Sequence, residues 1–538
     1  MKISFDTEQQ WEYVNGQWRY KDGIFESTNE EFDDDGLGIQ GYRYAFSKDT
    51  HFKTFSTTFQ VRHYLNFADV GFIFGAANAK DFYILHFPDC VQASRGQSFW
   101  VQLSKMDDSG VLRSIKTSLV NRVQSTPRNI WHEIEVEVSD DGINVVIDEM
   151  GVFQVDNIDV RSGAVGFMLF QEAQIKDFHL KGDAVEDSTW GSERQQSPHW
   201  FYPIGEPEYG DWQQPHRVIR LANNDLLLSF STQKHGVSWG EEKNDYLIRS
   251  SDNGRTWSTP ELLPLELQSK FGFLHHIFPD GVMRAIINDD RYESAMLVAE
   301  SYDDGKTWSS PISVKIPQAK TARTVNVAPM TLINLANGSV LATVLGAIDP
   351  PETKNEIACW GSVHHQAWSV ISYDNGASWT DLSPMDNHGL NASGVQIDCN
   401  MDLTEVSAVE VKDDKLMALI RPVYSPWMWE TWSKDGGKTW GPCVRGPFAS
   451  YACSNMIKTA DDTLVIAGRL PGLTVHCGRE LGKYWDQGTM IDSGLWAMGS
   501  MIEVEDNLVL FVYWDSNYSY MRAQHLKITE AGLVAVKY

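Results

Sequence analysis

With 538 residues, 42% of them apolar and 12% aromatic, the chain is long enough for two or three domains with sizeable cores, and its composition excludes a disordered protein. A formal charge of −27 excludes the concentrated positive surface that nucleic acid or an anionic membrane requires. It leaves room for a few arginines gathered around a small anionic ligand.

Six cysteines (90, 359, 399, 443, 453 and 477) have neither CxxC spacing nor the density of a disulfide scaffold, which predicts scattered reduced thiols and no metal or other cofactor. The opening MKISFDTEQQWEY has no apolar signal region, and no apolar run reaches bilayer length. The expectation is a soluble protein, cytoplasmic, or secreted if a leader has been removed.

In chain order, residues 1–183 present short alternating segments: FKTFSTTFQVRHY, VGFIFGA, FYILHF, FWVQLSK, WHEIEVEVS, INVVID, AVGFMLF and IKDFHL. Period-two alternation with Gly/Asp turns between segments is the pattern of a two-sheet β-sandwich. Residues 184–200, AVEDSTWGSERQQSPHW, are polar with one Pro and predict a linker.

From residue 201 to 538 the chain is repetitive. Six apolar hairpins recur: VIRLANNDLLLSF, HHIFPDGVMRAII, TLINLANGSVLATVL, AVEVKDDKLMALI, NMIKTADDTLVIAG and MIEVEDNLVLFVY. Their Asn-Asn, Pro-Asp-Gly, Asn-Gly and Asp-Asp centres are hairpin-turn chemistry. A second repeat, S-x-D-x-G-x-x-W, occurs as SSDNGRTW, SYDDGKTW, SYDNGASW and SKDGGKTW. Its aspartates, at 252, 303, 374 and 435, lie 51, 71 and 61 residues apart, a spacing that suits four-stranded propeller blades. The hairpins predict six blades, the last two without the second motif; a seventh is the alternative if the 338–413 interval hides one. These Asp-rich turns lack the alternating oxygen ligands and closing Glu of a calcium loop, so they read as turn stabilisers remote from the chemistry.

Together these repeats resemble the Asp-box (BNR repeat) β-propellers of the sialidase-like superfamily. WHEIEVEVSDDGINVVIDEMGVF and GAVGFMLFQEAQIKDFHLKG resemble concanavalin-like sandwiches of the laminin G or glucanase type. The fold class expected is therefore all-β, a jelly-roll sandwich followed by a six-bladed propeller.

Propellers bind ligands at the mouth of the axis, where the inner strands begin. Counting eight residues back from each hairpin turn places Pro215, Pro329, Glu405, Cys453 and Met498 there, and of these only Glu405 ionises. Sialidases carry a Glu at this position with an Arg sixteen residues on; TEVSAVEVKDDKLMALIR places Glu405 and Arg421 at that spacing. The resemblance implies that Arg421, with Arg469 in LVIAGRLPG (Arg479 competing), holds a substrate carboxylate. Two positions depart from it. Gln213 stands where the family has an Arg before Ile-Pro, and Met498 stands where it has a nucleophilic Tyr. Ordinary sialidase activity is therefore not expected.

The loop HGVSWGEEKNDY offers Glu241, Glu242 and Asp245 as acid partners for Glu405, with Asp245 leading directly into a strand. His276, of the adjacent pair His275-His276, is a candidate for proton abstraction; a second pair, His364-His365, cannot chelate one metal because neighbouring strand residues face opposite ways. Tyr424, Trp427, Trp429, Tyr484, Trp485, Trp514 and Tyr518 fall in what read as inter-strand connections and suit stacking on sugar rings. Trp427, Tyr424, Trp496, His216 and Gln213 complete the candidate substrate contacts, and Tyr513 is a possible displaced nucleophile.

The resulting expectation is an exo-acting glycoside hydrolase that releases a terminal acidic sugar from an oligosaccharide or polysaccharide. The alternatives are a uronate-directed polysaccharide lyase and a non-catalytic glycan-binding propeller.

Overall fold

A computed structural model describes residues 2–3, 11–14, 17–28, 43–63, 69–78, 81–90, 98–106, 112–121, 130–170, 173–185, 200–201, 212–233, 243–268, 273–287, 295–317, 324–326, 331–347, 365–386, 403–422, 427–450, 455–469, 473–492, 498–514, 521–530 and 532–536. The expected hairpins are the first two strands of six blades. Blade 1 is built from Trp212–Arg220, Leu226–Gln233, Lys243–Ser250 and Glu261–Leu262. Blade 2 runs Phe273–Ile277, Met283–Ile287, Ala295–Ser301 and Ile312–Lys315. Blade 3 has a divided inner strand, Thr324–Asn326 and Leu332–Asn334, then Val340–Ala347, His365–Ser372 and Ser383–Met385. Blade 4 is Leu403–Lys412, Lys415–Pro422, Trp427–Ser433 and Val444–Ala449. Blade 5 is Ile457–Lys458, Leu464–Arg469, Leu473–Gly478 and Thr489–Asp492, with the short Tyr484–Trp485 beside them. Blade 6 comprises Met498–Glu505, Leu508–Trp514 and Met521–Thr529.

Two pieces pair with the outer edge of blade 6. Gly532–Val536 returns as a hairpin, and Trp200–Phe201 aligns with Ala523 and Arg522. Residues just before the propeller thus meet its last blade. A second connection joins the N-terminal strands to blade 5, where Arg113 and Leu112 pair with Thr489 and Met490.

Each blade junction has its own apolar cluster. In the run Leu226-Leu227-Leu228, period two sends Leu226 and Leu228 toward blade 6 and Leu227 toward blade 2. Clusters between blades 2 and 3, 3 and 4, 4 and 5, and 5 and 6 complete the ring.

The inner strands need more than apolar contact. At the axis their N–H and C=O groups are buried on an edge with no sheet neighbour, and such groups must find partners. Side chains supply them. Ser500 Oγ accepts the Val218 N–H at 3.0 Å, and the Ser229 hydroxyl donates to Phe273 O at 3.0 Å. Asn334 Nδ2 donates to Ile277 O at 2.9 Å, and the Thr331 hydroxyl donates to Val406 O at 3.1 Å. Ser407 Oγ accepts the Met456 N–H at 2.5 Å; Asn455 accepts from Met501 N at 2.8 Å and donates to Met501 O at 3.0 Å. All six junctions are bridged.

The four Asp boxes occupy the turns after the third strands. In the second, the Ser301 hydroxyl donates to Asp303 Oδ1 at 2.9 Å and Ser301 Oγ accepts from Gly305 N at 2.8 Å. Asp303 also accepts the Thr307 hydroxyl at 2.6 Å and the Thr307 N–H at 2.8 Å, and these bonds pull its carboxyl down to about 2. The box glycine is obligatory twice over. Gly437 has φ +85°, and a Cβ there would lie 2.3 Å from Leu341 Cδ1 of the preceding blade. Blade 5 has no Asp box, and its equivalent turn holds Glu480, Leu481 and Gly482 at φ 49°, 59° and 84°.

The eight segments expected over residues 1–183 all form strands, joined by others the alternation did not reveal, including Gln17–Lys21, Ile24–Thr28 and Leu112–Asn121. They enclose one aromatic core. Phe59 and Phe178 both meet Phe167 edge-on, with centroids 5.2 and 5.0 Å apart. Strand His132–Val138 keeps strict alternation, Ile134, Val136 and Val138 inward and the three glutamates between them outward.

Ser407→Ala removes one bridge of the axial ring and leaves the Met456 N–H buried without its acceptor, so it should destabilise the protein by about 1–3 kcal/mol in urea unfolding. An unchanged midpoint would mean that the junction of blades 4 and 5 is held by apolar contact alone.

Candidate functional site

Antiparallel pairing explains why a spacing of sixteen brings Glu405 and Arg421 together. Their hairpin turns between Lys412 and Lys415, so the start of the first strand lies beside the end of the second, with Leu403 opposite Pro422. Arg421 Nη1 donates to Glu405 Oε1 at 2.8 Å, with side-chain exposures of 4% and 14%. Glu405 Oε2 is buried and accepts no hydrogen bond from the described residues. A carboxylate oxygen in that condition is uncommon in a folded protein and marks a group awaiting a donor.

Blade 1 lies opposite blade 4 in the six-blade ring, and its mouth end carries a second polar group. Asp245 is buried, its Oδ1 accepting from the Ser231 hydroxyl and from Lys243 Nζ at 3.2 Å, while its own N–H donates to Gln268 Oε1 at 2.6 Å. His216 Nε2 contacts Ser231 Oγ. Because the serine proton is given to Asp245, the imidazole must be the donor in that contact. The order His216→Ser231→Asp245 runs opposite to that of a nucleophilic serine, whose proton goes to histidine. Burial and then neighbouring Lys243 hold the His216 imidazole at about 3, and burial lowers the Lys243 ammonium. Asp245 Oδ1 is thus engaged as an acceptor within blade 1.

A third network spans blades 1 to 3. Arg217 Nη2 donates to His276 Nδ1 at 3.1 Å and to Leu332 O at 2.7 Å, and His276 Nε2 meets Asn334 Oδ1 at 2.9 Å. With Nδ1 accepting, Nε2 carries the proton. The imidazole is neutral, driven well below its ordinary value by burial and then by Arg217. Both ring nitrogens are engaged, which removes His276 as a base for proton abstraction.

Gln213, the second residue of the inner strand of blade 1, has no exposed surface, yet neither Nε2 nor Oε1 of its amide has a hydrogen-bond partner among the described residues. Met498 opens the inner strand of blade 6, paired with Trp514.

The aromatic candidates divide. Trp427 is half-buried at the mouth end of blade 4, with the Arg445 guanidinium 4.7 Å over its ring. Tyr513 is not a surface group: it is wholly buried in the core between blades 5 and 6, its ring centroid 5.2 Å from that of Phe511 and its hydroxyl 3.4 Å from Gln524 Nε2. That packing withdraws it as a nucleophile or substrate contact. Trp427, Trp429, Tyr484, Trp485 and Trp514 lie in strands and not in connections, and Trp429 is core between blades 3 and 4. Arg469 ends the second strand of blade 5, opposite Leu473; its side chain is outside the description. Glu241, Glu242, Tyr424, Trp496, Tyr518, Pro329, Cys453 and His364 also lie outside the described residues.

Sequence reasoning passed over Arg217, Ser231, Lys243 and Asn334, and Arg522, a buried cation at the start of the third strand of blade 6. Their signal is a polar residue near the end of an otherwise apolar strand, a pattern shared with many solvent-facing positions.

The profile of the BNR repeat-like domain matches residues 279–524, from the hairpin turn of blade 2 into blade 6. No curated protein matches the chain. Among solved structures it is similar to a protein of unknown function from Dyadobacter fermentans, at 15% identity over 62% of this chain and 99% of that one, TM-score 0.47. It is similar also to a Hadza microbial sialidase, at 12% identity over 89% and 93% of the two chains, TM-score 0.47. A NanB sialidase from Streptococcus pneumoniae gives 12% identity over 90% and 96%, TM-score 0.43. Identities this low carry no activity from one chain to another.

The buried histidines make stability pH-dependent. His216 and His275 are held at about 3 by burial foremost, against an ordinary value of 6.5. Between those values the unfolded chain binds more protons than the folded one, so stability is complete above pH 6.5 and falls as pH drops toward 3. Urea midpoints at pH 7 and pH 4.5 should differ clearly, and His216→Asn should lessen the difference. A flat profile would contradict this burial.

Proposed function

We propose that the protein is a glycan-active enzyme, an exo-acting glycoside hydrolase that releases a terminal sugar at the propeller mouth. The observation that supports this reading most directly is Glu405, a largely buried carboxylate with one oxygen held by Arg421 and the other unengaged by the described residues. Arg421 fixes the orientation of the group. The second oxygen is then available to take a proton from water as that water attacks the anomeric carbon.

Hydrolysis by direct displacement needs a second carboxyl group to protonate the leaving oxygen. With Asp245 engaged by Ser231 and Lys243, this role falls to Glu241 or Glu242, which come just before the third strand of blade 1 in the sequence. Met498, at the position where the resemblance calls for a nucleophilic Tyr, supports attack by water over a covalent tyrosyl intermediate. The lyase alternative loses its base, since both nitrogens of His276 are occupied. A purely glycan-binding role leaves oligosaccharides unchanged after long incubation.

Incubation with a panel of neutral, uronate-containing and sialylated glycans, read by mass detection, tests the proposal. Hydrolysis adds the mass of water at the cleaved bond, whereas elimination leaves an ultraviolet-absorbing double bond. Glu405→Gln should reduce turnover by about 10²–10⁴-fold with the fold intact by circular dichroism. Turnover at the wild-type rate in that variant would reject Glu405 as the catalytic carboxylate.

A further inference from the structure

We infer that Gln213 is a specificity-determining residue that selects a neutral, hydroxyl-bearing sugar and disfavours a carboxylate; this rests on the hydrolase reading above. The placement comes from register. Gln213 lies opposite Thr232, and Pro215 lies opposite Phe230. Phe230 packs in the cluster shared by blades 1 and 6, stacked on Tyr246 with centroids 5.3 Å apart. Residues two apart on a strand share a face, so Gln213 extends this row toward the mouth. The bond from Val218 N–H to Ser500 Oγ aligns the inner strands of blades 1 and 6. Gln213 accordingly sits at the mouth end of their junction, near where blade 6 begins at Met498. The six-blade ring puts it across the axis from the Glu405–Arg421 pair of blade 4.

An amide in this position is costly without a partner. A buried donor or acceptor left unsatisfied is destabilising, and Gln213 presents one of each, fully buried and unengaged by any described residue. Nearby polar side chains show what satisfaction looks like here: Ser500, Ser229, Asn334 and Asn455 all bridge to backbone. Gln213 makes no such bridge, and its donor and acceptor define what it can recognise.

A sugar hydroxyl both donates and accepts, so it can meet Nε2 and Oε1 together. A carboxylate only accepts, and it would place its charge against the Oε1 lone pairs. Two of the described cations are already paired with carboxylates. Arg421 is paired with Glu405, Lys243 with Asp245, and Arg217 is committed to His276 and Leu332 O.

Matched pairs of methyl glycosides that differ only at C6 isolate the effect: glucoside against glucuronide, and galactoside against galacturonide, with binding followed by calorimetry. The wild-type protein should favour the neutral member of at least one pair by about ten-fold or more. Gln213→Leu, similar in volume and unable to hydrogen-bond, should erase that preference without lowering the thermal midpoint. Gln213→Arg should favour the acidic member. Tighter binding of the acidic members by the wild type, binding of neither member of any pair, or an unchanged ratio in a folded Gln213→Leu would each overturn the inference. Loss of turnover in Glu405→Gln alongside an unchanged ratio in Gln213→Leu would leave the hydrolase reading standing and remove this one alone.

Discussion

Everything in the propeller depends on how its innermost strands dispose of their backbone polar groups. A blade is a small twisted sheet, and its first strand presents an unpaired edge to the axis. Left bare, that edge would bury amides and carbonyls without partners, at a cost no apolar cluster recovers. Here a serine, threonine or asparagine crosses each junction and takes hold of the next blade's backbone. The ring closes because Ser500 of blade 6 holds Val218 of blade 1. Apolar clusters hold the blade faces together, and the axial side chains fix how far each blade can slide past the next.

The two ends of the blades have different chemistry. At the Asp-box end, carboxylates are spent on local amides and hydroxyls, and glycines allow the turn to sit directly on the preceding blade. The contact between the position of Gly437 and Leu341 shows how little room remains. That end is a set of locked turns. At the mouth end, ionisable and amide groups stand on strand starts and ends, where antiparallel pairing gathers residues far apart in sequence. Glu405 and Arg421 meet for that reason, as do Ser231 and Asp245.

Around the axis, two kinds of polar group are distinguishable. The His216–Ser231–Asp245–Lys243 and Arg217–His276–Asn334 networks are turned inward, their donors and acceptors matched to one another. They hold blades 1 to 3 in register and keep their histidines neutral. Glu405 Oε2 and the amide of Gln213 are buried without such matching, on opposite blades. Function is sought at the second kind because these groups stand at the mouth end of their blades with hydrogen-bonding capacity that no described residue takes up.

The sequence by itself determined the all-β class, the six hairpins and the four box turns, since these are local; it singled out Glu405 and Arg421 by their spacing but assigned Arg421 to a substrate carboxylate, and the pairing of the two appears only in the folded hairpin. The box motif also announced a BNR-type propeller, which the match over residues 279–524 supports. What the sequence could not separate was core from site. Tyr513 and Trp429 read as candidate sugar contacts and proved to be packing, because a strand buried on both faces shows no alternation to betray it. Asp245 and His276 read as free acid and base, yet their partners Ser231, Arg217 and Asn334 lie on neighbouring strands or blades. Whether a titratable group is spent or available is a property of what packs against it, and only the closed ring decides that.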